Sequence, residues 1–217
     1  MSRYAPSGVS YSFGPGAMTP AVRAILYANL AAFVATLLLP GLMIDLFGLR
    51  PEAFLQRGRL WQIVTYLFLH DPQSVMHILF NMLALWMFGV DLERRWGRTA
   101  FLRYYFVCGI GAGLTCLLVS LLPFGFAQQL HHSIVIGASG AIYGLLLAYG
   151  MYYPDRPIYM YLVFPIPARY FVMIMGALAF YSSIAERGGV ANATHLGGLL
   201  VAYLFLKSGR VLRAQGG

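Results

Sequence analysis

The stretch GASGAIYG, Gly137 to Gly144, sets one serine, Ser139, inside an apolar, glycine-rich run. A serine hydroxyl becomes a nucleophile when a neutral imidazole within hydrogen-bond reach takes its proton. The sequence offers two imidazoles in similar settings. MHILFNML carries His77 and Asn81, and ANATHLGG carries Asn192, Thr194 and His195. A spacing of four puts His77 and Asn81 on one helical face, a turn apart. Nucleophile, base and side-chain donors able to hold a tetrahedral oxyanion are the inventory of acyl transfer to water. There is also a plainer reading: Gly140, Gly144, Gly197 and Gly198 make small-residue surfaces for close helix approach, and Ser139 among them can be a packing residue.

The medium around these residues is lipid. Of 217 residues, 59% are hydrophobic and 10% charged, against roughly 25% charged in an ordinary soluble domain. The net charge of +8 comes from arginines scattered between apolar runs, not gathered with aromatics into a patch, so no nucleic-acid partner is expected. Cys108 and Cys116 lie in one apolar run and read as small buried hydrophobes, neither a disulfide framework nor a metal pair. His70, His77 and His195 lack any metal-binding spacing of the His-Glu-x-x-His kind, so no metal or other cofactor is expected.

Candidate spans, measured against the length of a bilayer core, are Ala21–Leu39, Val75–Leu92, Thr99–Leu122, Ala138–Tyr153, Arg169–Ser183 and Ala191–Lys207, the fourth and fifth being short. The expected fold is therefore all-α and polytopic, with six transmembrane helices over residues 21–209. Residues 1–20 read as a flexible cytoplasmic tail and 210–217 as a short cytoplasmic C-terminal tail. Leu60–Leu69 and Ile158–Phe164 are apolar but too short to span, and read as interfacial or re-entrant. Arginine and lysine collect on the side of both termini, as at Arg94, Arg95, Arg98, Arg103, Arg156 and Arg169, while Arg50, Arg57, Arg59 and Arg187 fall on the other. Both termini are thus expected in the cytoplasm of a multi-pass protein, with a bacterial inner membrane as the expected location.

This topology starts the second, fourth and sixth spans at the outer face, which brings their polar residues to one depth. At about 1.5 Å rise per residue, groups four to six positions into a helix lie roughly 6 to 9 Å below its end. Polar groups inside a bilayer are costly unless paired or facing a water-filled cavity. The consequence is a polar pocket in the outer half of the membrane, with Ser139 beside the free N–H groups of a helix start. No carboxylate shares that level, so a Ser139–His195 dyad is expected rather than a triad. Tyr143, one turn after Ser139, is placed to stack on an imidazole and orient it, and Gly137 is grouped with it as a supporting residue. Asp45, Glu52, Asp71 and Glu186 stay open as acids that approach His195 from the outer connections. His131 and His132 read as interfacial polar residues, Glu93 in GVDLERRWG as a structural ion-pairing or capping group, and Trp61, Trp86 and Trp96 as anchors.

Four motifs together, His-x-x-x-Asn in HILFNM, Gly89-x-x-x-Glu93-x-x-x-Gly97, Gly-x-Ser-Gly in GASGAIYG and THLGG in the last span, resemble the rhomboid intramembrane serine proteases. They run in the family's order from about Trp61 to Lys207. The resemblance implies a six-helix core that cuts membrane-protein substrates in their transmembrane segments, with Ser139 and His195 catalytic and with His77, Asn81 and the Ser139 amide binding the oxyanion. It also implies that the fifth span and the connection Ile184–Val190 form a lateral gate and cap, with Gly188 and Gly189 as hinge. Thr194 departs from the family's usual alanine. An inactive relative that only binds membrane-protein clients, and a small transporter, are the alternatives; oligomeric state and substrate identity are open.

Overall fold

The computed structural model describes residues 14–160, 164–184 and 189–209. Ten helices run in the order α1 (Pro20–Leu38), α2 (Pro40–Phe47), α3 (Pro51–Arg57), α4 (Gln62–Thr65), α5 (Val75–Trp96), α6 (Arg98–Val119), α7 (Gly125–His132), α8 (Ser139–Tyr152), α9 (Ala168–Ile184) and α10 (Gly189–Lys207), with a 3-10 turn at Tyr66–Phe68. Among the described residues the protein is all-α apart from one two-stranded hairpin between α8 and α9.

Among the described residues three helices, α1, α5 and α6, are long and apolar enough to cross a bilayer. Helices α8, α9 and α10 stand where the other three spans are expected, and among these α8 is only 14 residues long, about 21 Å of helix. Its first residue is Ser139, which the chain reaches through the irregular stretch 133–138. Helix α8 is indeed central: Ala141, Ile142, Leu145, Leu146, Ala148 and Tyr149 are all buried. Outward faces are apolar instead, with Leu38 of α1, Phe80 of α5, Leu118 of α6 and Phe180 of α9 all exposed. This polarity, inverted relative to a water-soluble domain, is that of an integral membrane protein.

Helix α1 begins with proline at its first position, where a missing N–H costs nothing. Thr19 precedes it but does not cap it. The cap comes from α5: the buried Glu93 carboxylate accepts from the Ala21 and Val22 amides at 2.9 Å each, and from the Thr19 hydroxyl. A carboxylate at the positive end of a helix satisfies orphan donors and complements the dipole. Glu93→Ala leaves these amides buried and unpaired, so a loss of about 1–3 kcal/mol is expected, read as a lower Tm in detergent. An unchanged Tm with cleavage abolished would move Glu93 from cap to chemistry. Gly97, at φ +81°, turns α5 into α6 within one residue and makes the two an antiparallel pair.

The connection from α1 to α5 is folded back and stapled. Arg59 donates to the Asp45 carbonyl at 2.7 Å and to its carboxylate at 3.1 Å, Trp61 Nε1 to the Leu46 carbonyl at 2.8 Å, and Thr65 to the Phe47 carbonyl at 2.8 Å. The Arg59 hydrogen bond holds the Asp45 carboxyl below its ordinary range. On the same side His132 of α7 meets Glu52 of α3 at 3.2 Å, which lowers the Glu52 carboxyl in the same way.

Two expectations are refined. The run read as interfacial or re-entrant, Ile158–Phe164, contributes to two strands, Pro157–Met160 (β1) and Phe164–Pro167 (β2), which pair antiparallel, with residues 161–163 outside the described residues. Prolines fence both strands, which a two-stranded ribbon tolerates because each strand has a free edge. Residues 14–17, assigned to a flexible tail, dock on α5, where the Gly16 carbonyl accepts from Trp86 Nε1 at 3.1 Å and the Pro15 and Ala17 carbonyls accept from Arg94. The tail residues 1–13 and 210–217 lie outside the described residues.

Candidate active site

The approach to Ser139 is held by two pieces of the first connection. Leu49 and Val135 exchange backbone hydrogen bonds at 2.9 and 2.8 Å, and the Gly137 amide donates to the Tyr66 carbonyl at 2.9 Å. The Tyr66 phenol is in turn fixed to the Gly109 carbonyl of α6 at 2.6 Å. Gly137 sits at φ +123°, where a side chain is strained. A Cβ there would also stand 2.9 Å from His77 Nε2, so the loop passes directly against the imidazole. The backbone N–H groups of Ser139, Gly140 and Ala141 then open the first turn of α8 without intrahelical partners.

His195 arrives from α10 because that helix comes unusually close. A Cβ on Gly198 would collide with the Gly140 carbonyl oxygen, one on Gly140 would stand 2.6 Å from the Ala112 Cβ, and one on Gly197 would stand 2.7 Å from the Thr115 Cβ. Backbone therefore lies against backbone between α8 and α10, while α6 fills the remaining side. The result is a His195 Nε2 to Ser139 Oγ separation of 2.8 Å, within hydrogen-bond range. The Tyr143 ring lies flat against the imidazole, centroids 4.3 Å apart at 12°. Gly198→Ala pushes on main chain, which cannot give way as a flexible side chain can. We expect a stability loss of about 1–3 kcal/mol. A shift of about 1 Å at the reacting atoms accounts for a further fall of roughly 10²-fold in turnover. Wild-type kinetics and Tm in this variant would contradict the close approach.

His77 and Asn81 occupy the first two turns of α5. The Asn81 amide donates to the His77 carbonyl at 2.8 Å, and the Asp71 amide approaches His77 Nδ1 at 3.5 Å. His70, whose place the sequence did not indicate, is fully buried with its ring edge-on to His77, centroids 5.0 Å apart. The turn Asp71–Ser74 folds it there, with the Gln73 and Ser74 amides donating to Asp71. Neither His70 nor the Tyr66 carbonyl carries a motif by which sequence spacing would find it.

The acids of the connection between α1 and α5 are engaged elsewhere among the described residues: Asp45 with Arg59 and Arg50, Glu52 with His132, and Asp71 within its own turn. Glu186, and residues 185–188 of the expected cap with Gly188, lie outside the described residues, as does the Asn192 side chain. Thr194, by contrast, is buried against Gly140 of α8. His131 and His132 sit on α7, in the segment leading toward the site but not in it.

The arrangement is a hydroxyl on an imidazole, beside free helix-start amides and a second imidazole. Its chemical capacity is proton removal from Ser139 with donors at hand for a developing negative charge.

Comparisons with known proteins place the chain in a family. The chain is 30% identical over 154 residues to the rhomboid protease GluP of Bacillus subtilis, covering 71% of this chain and 27% of that protein. It is 29% identical over 170 residues to the rhomboid protease AarA of Providencia stuartii, covering 73% and 59%. With the mitochondrial rhomboid protein 1 of Saccharomyces cerevisiae it shares 30% over 138 residues, covering 61% and 38%. The chain thus spans between about a quarter and three fifths of the length of these relatives. Residues 57–209, from the end of α3 past the end of α10, match the Rhomboid domain, and the chain belongs to the rhomboid family.

Proposed function

We propose that this protein is an intramembrane serine endopeptidase that hydrolyses a peptide bond in the transmembrane segment of a membrane-protein substrate. One observation carries the reading: Ser139 Oγ lies 2.8 Å from His195 Nε2, on helices brought together by glycine. In the proposed reaction His195 Nε2 takes the Ser139 proton as Oγ attacks the scissile carbonyl carbon. The oxyanion is held by the Ser139 amide, His77 and Asn81. His195 then gives the proton to the leaving amine, and water, deprotonated by the same nitrogen, attacks the acyl-enzyme and frees Ser139. Tyr143 keeps the imidazole plane fixed through stacking, in the place an acid would take in a triad. No metal or cofactor enters these steps.

The reading places all six of α1, α5, α6, α8, α9 and α10 across the membrane, both termini in the cytoplasm, and residues 21–209 as one membrane domain with tails of 1–20 and 210–217. A bacterial inner membrane is the proposed location. Helix α9, with Met173, Leu178 and Phe180 exposed, is the gate through which a substrate helix enters. The substrate must unwind there, because an α-helix hides its carbonyls in i to i−4 bonds. A mechanism-based serine-hydrolase inhibitor tests the proposal. Covalent attachment at Ser139 in liposomes, lost in Ser139→Ala, is expected. A wild-type chain that binds membrane-protein clients and takes up no inhibitor would support a non-catalytic scaffold.

A further inference from the structure

The hairpin between α8 and α9 is covered near its base and exposed away from it. Ile158, paired across the strands with Ile166, is buried, whereas Tyr159, on the opposite face with Pro165, is 52% exposed, and Phe164, on the Ile158 face but two residues further from the base, is 65% exposed. A two-stranded ribbon with exposed apolar side chains is marginal alone in water. The Ala168 amide donates to the Arg156 carbonyl and the Arg169 amide to the Pro154 carbonyl, closing the base of the hairpin directly on the end of α8 and the start of α9. No linker lets the strands leave the plane where those membrane helices end.

Cations surround this base. Arg156 donates to Asp91 at 2.6 Å and lies over the Tyr153 ring, Arg95 lies over Tyr152, and Arg169 pairs with Asp155 at 3.0 Å and lies over Tyr170. The Arg156 and Arg169 side chains stay 46% and 49% exposed, each with most of its five N–H donors unspent on the carboxylate. With Arg94, Arg98 and Lys207 at the same helix ends, positive charge exceeds that of Asp91 and Asp155. Aromatic rings beside arginines, at the level where helices leave the bilayer, match the chemistry of a headgroup layer, which takes an amphipathic ring and an anionic phosphate together.

We infer that the β1–β2 hairpin is a membrane-interface anchor: Tyr159 and Phe164 insert among the headgroups of the cytoplasmic leaflet, and Arg156 and Arg169 bind anionic lipid phosphates beside them. This rests on the topology proposed above, in which α8 ends and α9 begins on the cytoplasmic side. Its consequence is a fixed inner end for α9.

The test uses the full chain with Phe164→Cys carrying an environment-sensitive dye, in vesicles of phosphatidylcholine with or without phosphatidylglycerol; Cys108 and Cys116 are buried and unreactive. Expected are a blue-shifted emission, quenching by a spin label held near the lipid headgroup, weak quenching by iodide, and a strengthening of all three with phosphatidylglycerol that Arg156→Gln with Arg169→Gln removes. Emission as in water with full iodide quenching overturns the anchor. A blue shift indifferent to phosphatidylglycerol overturns the anionic partner, and one that grows with protein concentration in detergent points instead to a second copy of the chain. Cleavage is not read, so failure of the protease reading leaves this result standing. An inverted topology shows separately, when an impermeant thiol reagent reaches Phe164→Cys from outside intact cells.

Discussion

Ser139→Ala is expected to abolish cleavage of a transmembrane substrate in liposomes, with a fall in kcat on the order of 10⁶-fold, as when a serine hydrolase loses its nucleophile. The substitution removes one oxygen and with it the bond-forming atom. It leaves the helix start intact, since alanine is a good helix former and the α8 amides stay in place. Folding and Tm should therefore match the wild type, which separates lost chemistry from lost structure. His195→Ala should fall by a comparable factor, and the double variant by no more than either single one, because nucleophile and base act as a unit. Additive losses, or cleavage that persists in Ser139→Ala, would sink the dyad. The contact that motivates the expectation is the 2.8 Å separation between the two side chains.

That contact joins residues 56 positions apart, yet part of it was legible in sequence. Polar groups in apolar runs are costly, so Ser139, His77, Asn81 and His195 stand out, and a helical rise brings them to one depth. The glycines of GASGAIYG and THLGG signal close approach, and the Gly140 to Gly198 backbone contact realises it. Depth and packing, however, say nothing of what holds the loop before Ser139. The Tyr66 carbonyl under Gly137, and the Leu49–Val135 bridge, are backbone contacts between distant segments, and side-chain type does not encode them. His70 was hidden for a related reason: its place against His77 depends on how the Asp71–Ser74 turn folds back. The hairpin escaped because a proline-fenced apolar run has no periodicity that distinguishes strand from re-entrant coil. Glu93 was readable only as cap or ion pair. Which helix it caps is settled by the antiparallel turn at Gly97, which returns α6 and leaves the end of α5 beside the start of α1.

His77→Ala is expected to lower kcat by roughly 10²–10³-fold with KM little changed, the size of effect produced by losing one oxyanion donor. Geometry gives His77 the larger share of the two side-chain donors. Its Nε2 faces the loop at Gly137, two residues before Ser139, the nucleophile in the proposed reaction. Asn81 is already committed in part: one N–H of its amide goes to the His77 carbonyl at 2.8 Å, leaving the other for the reaction. The loss in Asn81→Ala should accordingly be smaller, about 10-fold to 10²-fold. Because the same Asn81 bond secures the turn that carries His77, the two effects should not add. His77→Gln gives a sharper test, since its amide nitrogen can reach the position of Nε2 and donate there, whereas the shorter amide of His77→Asn cannot. Partial rescue by glutamine and none by asparagine would locate the donor at Nε2; near-normal rates in both alanine variants would leave oxyanion binding to the helix-start amides alone.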